Sequence, residues 1–267
     1  SRGGPVTFLI KGLGRNTLSG SLNVVLWLGY VLAIALYASA FAGYAAALIH
    51  GPTQGEEAGD TAFWIKPTIA AGIVAVFLVL NILGSAAVGK AEGAIVAAKL
   101  LILLGFVAVT APAIDPQRLS TSHWEPATSI AFSFGAAFLA FEGFGLITNA
   151  AGAMRRPSRT LPRAIYLSIG ITIVVYVLVV LATFGNLSVD EIRAKQEYAL
   201  AAAAEPSLGR IGFTATAVAA LFSTASAINA TLFGAANVSF RLAHERQLPV
   251  VLDRKAWEGA RYGLFVT

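Results

Sequence analysis

The sequence has no cysteine, one methionine among 267 residues, and only 12% charged residues. Without cysteine the chain can form neither a disulfide nor a cysteine metal site, and it gives no indication of a redox compartment. Soluble domains carry about 25% charged residues. The low charge therefore excludes one or two ordinary soluble domains and predicts a protein that crosses a membrane several times.

The residue patterns of an enzyme are missing as well. The three histidines fall in predicted loops, and no group of His, Asp or Glu has the spacing of a metal site. No serine lies in a nucleophile elbow, and no phosphate-binding loop occurs. We therefore predict no enzyme activity, no cofactor, no metal and no nucleic-acid partner. The basic pI near 9.6 is better explained by membrane topology.

Long apolar runs make up most of the chain, which is 57% hydrophobic. A helix that spans a bilayer needs about 20 predominantly apolar residues, and six runs are long enough. The predicted spans are 22–49, 67–88, 94–112, 129–153, 164–184 and 211–240. We expect a tight turn at 89–93, and a polar loop at 186–210 that is helical in part after the N-cap candidate Ser188. The fold class is all-α, a polytopic transmembrane bundle in one domain.

Basic residues lie mostly on one side of the predicted spans. Taken alternately, one set of segments holds 13 of the 19 lysines and arginines, and the other set holds five. The basic segments are 1–15, 89–93, 155–163 and 241–261, and the others are 50–66, 113–125 and 186–210. By the positive-inside rule, the basic side and both ends of the chain are predicted to be cytoplasmic.

A helix break is predicted in the fourth span. Residues 126–154 carry a single charge, Glu142, followed by Gly143 and Gly145. Glycine is a poor helix former, and a carboxylate at mid-membrane is costly. Irregular backbone at that depth is tolerated against protein or a water-filled cavity, and transporters place substrate sites at such breaks. We expect non-helical backbone within residues 141–145; the alternative is a continuous helix with a protonated Glu142.

One further charge, Lys99, lies inside a span, about six residues from its cytoplasmic end. It either reaches the headgroups with its long stem or acts as a fixed cation inside the bundle, where a coupling ion would otherwise bind. The last span carries three hydroxyls, Ser223, Thr224 and Ser226. They can coordinate an ion, receive the lysine ammonium, or bond their own backbone. We expect a bundle-facing Lys99 to approach them.

Two stretches resemble the amino acid–polyamine–organocation permeases. These are FLAFEGFGLITNAA at residues 138–151 and MRRPSRTLPRAI at residues 154–165. The resemblance extends over essentially the whole chain and implies a LeuT-like fold of two inverted repeats with a broken helix. It further implies that the chain holds about helices three to eight, with the first, second and last four helices of a longer parent missing.

The resemblance implies an amino acid permease in the cell membrane, working by alternating access as an exchanger or proton symporter. Its Lys99 matches a lysine that replaces a sodium ion in several relatives, so sodium independence is expected. The partners are then an amino acid and the lipid bilayer, with a homodimer left open. The implied substrate-binding residues are Phe138, Ala140, Phe141, Glu142, Gly143, Phe144 and Gly145. The alternatives are a polyamine or organic-cation carrier, and a non-transporting sensor or assembly subunit.

Overall fold

A computed structural model of the chain describes residues 4–50, 60–83, 86–120, 126–141, 143–145, 147–148, 154–245, 247–248, 255–257 and 260–261. Apart from two short paired strands, the regular structure in these residues is helical. The helices are α1 (Gly4–Leu13), α2 (Thr17–His50), α3 (Asp60–Leu83), α4 (Ala86–Thr110), α5 (Ala127–Ala140), α6 (Pro157–Asn186), α7 (Val189–Lys195) and α8 (Ala199–His244); the strands are β1 (Lys255–Trp257) and β2 (Ala260–Arg261). The predicted all-α bundle is confirmed.

Five candidate spans are long and apolar enough to cross a membrane within the described residues. They are Thr17–Ile49, Trp64–Ile82, Gly93–Ala113, Pro157–Asn186 and Val189–His244. Helix α5 is not among them, because its 14 residues reach only about 21 Å at 1.5 Å per residue, less than the roughly 30 Å hydrocarbon core. The region predicted as the fourth span therefore begins with a helix that stops part-way.

A sharp corner joins α1 to α2. Gly14 has φ +79° and its N–H donates to the Ile10 carbonyl at 2.9 Å, which closes the end of α1 with the left-handed residue that glycine favours. Asn16 then begins α2: its Oδ1 accepts from the Ser19 N–H at 2.9 Å, and the Ser19 Oγ accepts from the Asn16 N–H at 3.3 Å. This reciprocal cap sets the first turn of α2.

Helices α2 and α8 form the centre of the bundle. Their contact buries Tyr30 and Ile34 of α2 against Ile228 and Leu232 of α8, each at most 4% exposed. Small residues on α2, Ala38 and Ala42 among them, are also buried, so the backbones can approach closely as the sequence indicated. Helices α1, α3 and α4 pack around this pair.

Ion pairs join the ends of these helices. At one end Arg15 pairs with Glu245 after α8, with 2.7 Å between the guanidinium and the carboxylate. At the other end Lys66 of α3 pairs with Glu197, which lies in the 3-10 turn Gln196–Tyr198 before α8. Glu197 comes so close to α2 that a Cβ on Gly43 would lie 2.5 Å from its Cβ. Glycine at position 43 is therefore required by space.

The predicted tight turn at residues 89–93 is wrong. These residues lie inside α4, which begins at Ala86. Two glycines around a charged pair suggested a turn, but an interior glycine costs a helix only about 1 kcal/mol, which a long apolar continuation offsets. Lys99 is consequently about 20 Å from the start of its helix, although it lies six residues into the candidate span that begins at Gly93, as predicted.

The predicted loop at 186–210 is only partly correct. Ser188 caps α7 as expected, through reciprocal hydrogen bonds with Glu191. The remainder is helical rather than loop, because α8 begins at Ala199 and is interrupted only at Gly209, with φ +58° and ψ −151°. Four consecutive alanines, 201–204, are at most 1% exposed, and three of them pack with Phe106 and Ala182. Alanine is the best helix former, and its small size fits this buried contact.

Candidate functional site

The helix break predicted at residues 141–145 is confirmed. Helix α5 ends at Ala140, and Gly143 has φ +109°, a backbone conformation that side chains with a Cβ rarely adopt. A Cβ at Gly143 would meet no described atom within 4 Å, so the backbone angle rather than space calls for glycine there. Of the two predicted glycines only Gly143 has a positive φ; Gly145 lies in a 3-10 turn.

Two side chains donate hydrogen bonds to backbone carbonyls at the break. In a continuous helix the Ala140 carbonyl would accept from the amide four residues later. Here it accepts from the phenol of Tyr176 on α6 at 3.0 Å. The Gly145 carbonyl accepts from the Thr148 hydroxyl at 2.5 Å. Backbone groups at membrane depth need such partners, because lipid supplies none.

Aromatic rings gather on one side of the break. The Phe141 ring lies 5.2 Å from the Tyr176 ring and 6.4 Å from the Phe144 ring, measured between centroids. Phe138 stands apart, with 80% of its surface exposed. Of the three phenylalanines among the predicted substrate-binding residues, the structure brings together Phe141 and Phe144, and it adds Tyr176, which sequence reasoning missed.

The break lies level with the interior of α6. Helix α6 has 30 residues, and Tyr176 is about 28 Å from its first residue and about 15 Å from its last. Since the hydrocarbon core is about 30 Å thick, a carbonyl bonded to Tyr176 lies well away from the ends of a spanning α6. The depth of the break therefore matches a site within a membrane rather than at its surface.

The other predicted substrate-site residues differ in how exposed they are and in whether their backbone N–H groups are free to bind a ligand. Ala140 is the exposed last residue of α5, and Gly143 and Gly145 are half-buried. The Phe141 N–H is already used, donating to the Ala137 and Phe138 carbonyls at 3.2 and 3.1 Å. Donors for a bound anion must therefore come after it. Glu142 lies outside the described residues.

The helices that carry Lys99 and the three hydroxyls are neighbours. Helix α4 packs along α8, and Lys99, Ser223, Thr224 and Ser226 are all half-buried. The Thr224 hydroxyl is in reach of two acceptors on its own helix, the Ala220 carbonyl at 2.8 Å and the Leu221 carbonyl at 3.1 Å. Its proton is therefore directed to the backbone, while its oxygen can still accept from an ammonium.

A polar pair between α3 and α8 was also missed. The Asn81 amide donates to the Asn229 Oδ1 at 2.9 Å and to the Phe77 carbonyl at 2.8 Å. Asn229 is 7% exposed. Asparagines in two apolar runs were the signal available in the sequence, because amides in membrane helices commonly hydrogen-bond across an interface.

Comparison with known proteins gives a consistent result. The model of the family described as amino acid permease matches residues 1–259. The chain is 42% identical to an uncharacterized protein of Methanocaldococcus jannaschii and 34% identical to the inner membrane transport protein YbaT of Escherichia coli. These alignments cover 100% and 98% of the chain, and 60% of each relative. The serine/threonine exchanger SteT of Bacillus subtilis is 30% identical over 67% of the chain and 41% of its own length.

The chain spans about 60% of the length of the first two of these relatives. The family match extends over residues 1–259. The apolar helices and the helix break all lie within this matched region. Family membership also indicates a transporter rather than an enzyme. The chain belongs to the amino acid permease family, and its long apolar helices are those of a multi-pass membrane protein.

Proposed function

We propose that this chain is the central part of a secondary-active amino acid transporter that works by alternating access. The observation that carries the proposal is the helix break after Ala140, with Gly143 at φ +109°, in a chain of the amino acid permease family. Broken helices supply backbone donors and acceptors at the depth where transporters bind substrate. An amino acid offers one anionic and one cationic group to such a site.

The substrate carboxylate is received by amides that follow the break. The Phe141 N–H is engaged within α5, so the donors are the amides of residues 143–145. Helix N-termini favour anions through both their unpaired N–H groups and their dipole. The substrate ammonium is held by carbonyls, some of them from the remaining part of the longer protein.

The aromatic group on the break forms the wall of the side-chain pocket. Phe141 and Phe144 supply apolar surface, while Phe138 and Ala140, both exposed here, line the approach. Glu142 takes part in proton coupling, or stays neutral and holds the break. A pocket of this kind admits a small or apolar side chain more readily than a charged one.

Lys99 acts as a fixed cation in place of a coupling ion. It lies deep in α4, is half-buried, and its helix packs along the one that bears Ser223, Thr224 and Ser226. Lys99 lies six residues into the candidate span Gly93–Ala113, so a headgroup anchor is the alternative role, which the Lys99 variant below tests. Uptake is therefore expected to be independent of sodium.

We place the protein in the cell membrane with the Arg15 and Glu245 end in the cytoplasm. The two ion pairs support this topology, because each joins segments assigned to the same side. The positive-inside excess assigns that side to the cytoplasm. Other readings of the same fold are a polyamine or organic-cation carrier and a sensor that binds without transporting.

Uptake into proteoliposomes by the full-length protein tests the proposal. The panel begins with serine and threonine, since a relative is named as their exchanger, and it includes the other neutral amino acids, lysine, putrescine and spermidine. We expect saturable uptake of a neutral amino acid that persists when choline replaces sodium. Uptake of the polyamines alone, binding without uptake, or strict sodium dependence would each contradict a stated part of the proposal.

The role of Lys99 is tested with a matched pair of variants. Lys99→Met removes the cation from α4 with little change in volume, and Lys66→Met removes a partly exposed surface cation from α3 as the control. We expect Lys99→Met to abolish most uptake in sodium and in choline alike, while Lys66→Met retains it. Equal uptake by the two variants would show that Lys99 has no part in coupling.

A further inference from the structure

Tyr176 connects the break to a different helix. Its phenol donates to the Ala140 carbonyl at 3.0 Å, and its ring lies 5.2 Å from that of Phe141, at an angle of 59°. The two contacts fall on consecutive residues, the last of α5 and the first after it. Thr148, which donates to the other carbonyl at the break, belongs to the broken segment itself.

The rest of α5 has few other restraints. Among the described residues no helix, α6 included, packs extensively against it, and Phe132 and Phe134 are 88% and 68% exposed. The hydrogen bond and the ring contact of Tyr176 therefore join the end of α5 to another helix at the break itself. A helix end held by a hydrogen bond and a ring contact has fewer orientations available than one held by neither.

From this geometry we propose that Tyr176 is a positioning residue for the substrate site. It fixes the end of α5, and hence the direction in which the amides of residues 143–145 point. The inference rests on the proposed function, in that these amides bind the substrate carboxylate. Without the phenol, the break samples orientations that do not bind, and the apparent affinity falls by the fraction of time spent in them.

Two variants distinguish how much the hydroxyl and the ring of Tyr176 each contribute to holding the end of α5. Tyr176→Phe removes only the hydrogen bond and retains the ring beside Phe141. Tyr176→Leu removes both. Tyr166→Phe is the control, since Tyr166 lies on the same helix with 75% of its surface exposed.

The test combines uptake and amide exchange on the full-length protein in proteoliposomes and nanodiscs. We expect Tyr176→Phe to raise the half-saturating concentration of the transported amino acid about 3- to 10-fold, with the maximal rate within about twofold, as for loss of one neutral hydrogen bond. Tyr176→Leu should raise it further. Peptides that contain residues 141–148 should exchange their amide hydrogens faster in both variants, while Tyr166→Phe matches the wild-type protein.

The two readouts separate failure of this inference from failure of the proposed function. If the wild-type protein neither binds nor transports an amino acid, the proposed function is wrong, and the exchange rates still decide whether Tyr176 holds the break. If uptake is normal and Tyr176→Phe equals Tyr166→Phe in both half-saturation and exchange, Tyr176 does not position the site. A fall in maximal rate alone, with unchanged half-saturation and exchange, would also overturn the inference.

Discussion

The centre of the bundle and the break after α5 are built in opposite ways. Along the α2–α8 contact Tyr30, Ile228 and Leu232 are at most 2% exposed. On α5, Phe132 and Phe138 are 88% and 80% exposed. A closely packed pair of long helices thus contrasts with a short helix that ends part-way and has large exposed side chains.

This difference between the two regions is consistent with the proposed transport function. Regions that move or bind ligands come from the less stable parts of a protein, because densely packed cores do not deform continuously. Substitutions in the α2–α8 contact should therefore change stability first. Substitutions at the break should change transport first, with smaller effects on unfolding.

The largest expected effect on stability is at Leu232, which is 1% exposed. Leu232→Ala should leave a cavity and destabilise the protein by about 2 kcal/mol, the lower end of the range for buried leucines, because lipid also solvates apolar side chains. Phe138→Ala should change the apparent melting temperature in detergent little. An equal loss of stability from both substitutions would show that the α2–α8 contact and α5 contribute alike to stability.

The next effect in size concerns Gly43. A methyl group there would lie 2.5 Å from the Glu197 Cβ and 2.8 Å from its Oε2, so the turn that pairs Glu197 with Lys66 must shift. We expect Gly43→Ala to cost about 1 kcal/mol, the lower end of the range for overpacking, because the Glu197 side chain can move in part. In α3, Gly72→Ala meets nothing within 4 Å and should be neutral or stabilising. Thermal unfolding of the two variants measures the difference.

A smaller effect is expected from the polar pair between α3 and α8. Asn229→Ala removes the acceptor from the Asn81 amide, which retains the Phe77 carbonyl. Hydrogen bonds between membrane helices are worth about 0.6 kcal/mol on average. The double-mutant cycle with Asn81→Ala isolates this coupling. A coupling energy indistinguishable from zero would mean that the Asn81–Asn229 pair does not help to hold α3 against α8.

The smallest effect is local and depends on pH. The Ser188 backbone hydrogen bond, followed by that of the Ser188 hydroxyl, lowers the pKa of Glu191. Because the folded pKa lies below the unfolded value of 4.5, the carboxylate stabilises α7 above that value, and the stabilisation is lost as pH falls through the folded pKa.

The chain has no cysteine, so Ala194→Cys supplies a unique site for a spin label. Label mobility on α7 should rise as the pH is lowered below about 4.5, the unfolded pKa of glutamate. The same label with Glu191→Gln should show little dependence on pH. Identical pH profiles in the two proteins would mean that the capping carboxylate does not hold α7.

Sequence patterns predicted the parts of this fold that depend on local chemistry. Apolar length predicted the long helices, and Gly143 beside a charge predicted the break, because both rest on the cost of polar groups and irregular backbone in lipid. The cap at Ser188 followed from its spacing to Glu191. These features require no knowledge of which helices meet.

The parts that sequence reasoning missed depend on contacts between distant segments. The alanines at 201–204 favour a helix by themselves, but the run does not reveal that Phe106 and Ala182 of other helices bury it. The glycines at 89 and 93 resembled a turn, although α4 continues through them. Tyr176 lies 36 residues from Ala140, and nothing in its own stretch distinguishes it from other aromatic residues of an apolar helix.

The most direct test of the central claim compares two glycines of the broken segment. Gly143→Ala forces a Cβ into φ +109°, whereas Gly135→Ala lies within α5; neither meets a described atom within 4 Å. The first strains only the backbone, by about 1–3 kcal/mol. Amino acid uptake by the full-length protein should fall about tenfold or more in Gly143→Ala, although enough folded protein remains at the assay temperature, and should be retained in Gly135→Ala. Equal uptake by both variants would contradict the claim that substrate binds at this break.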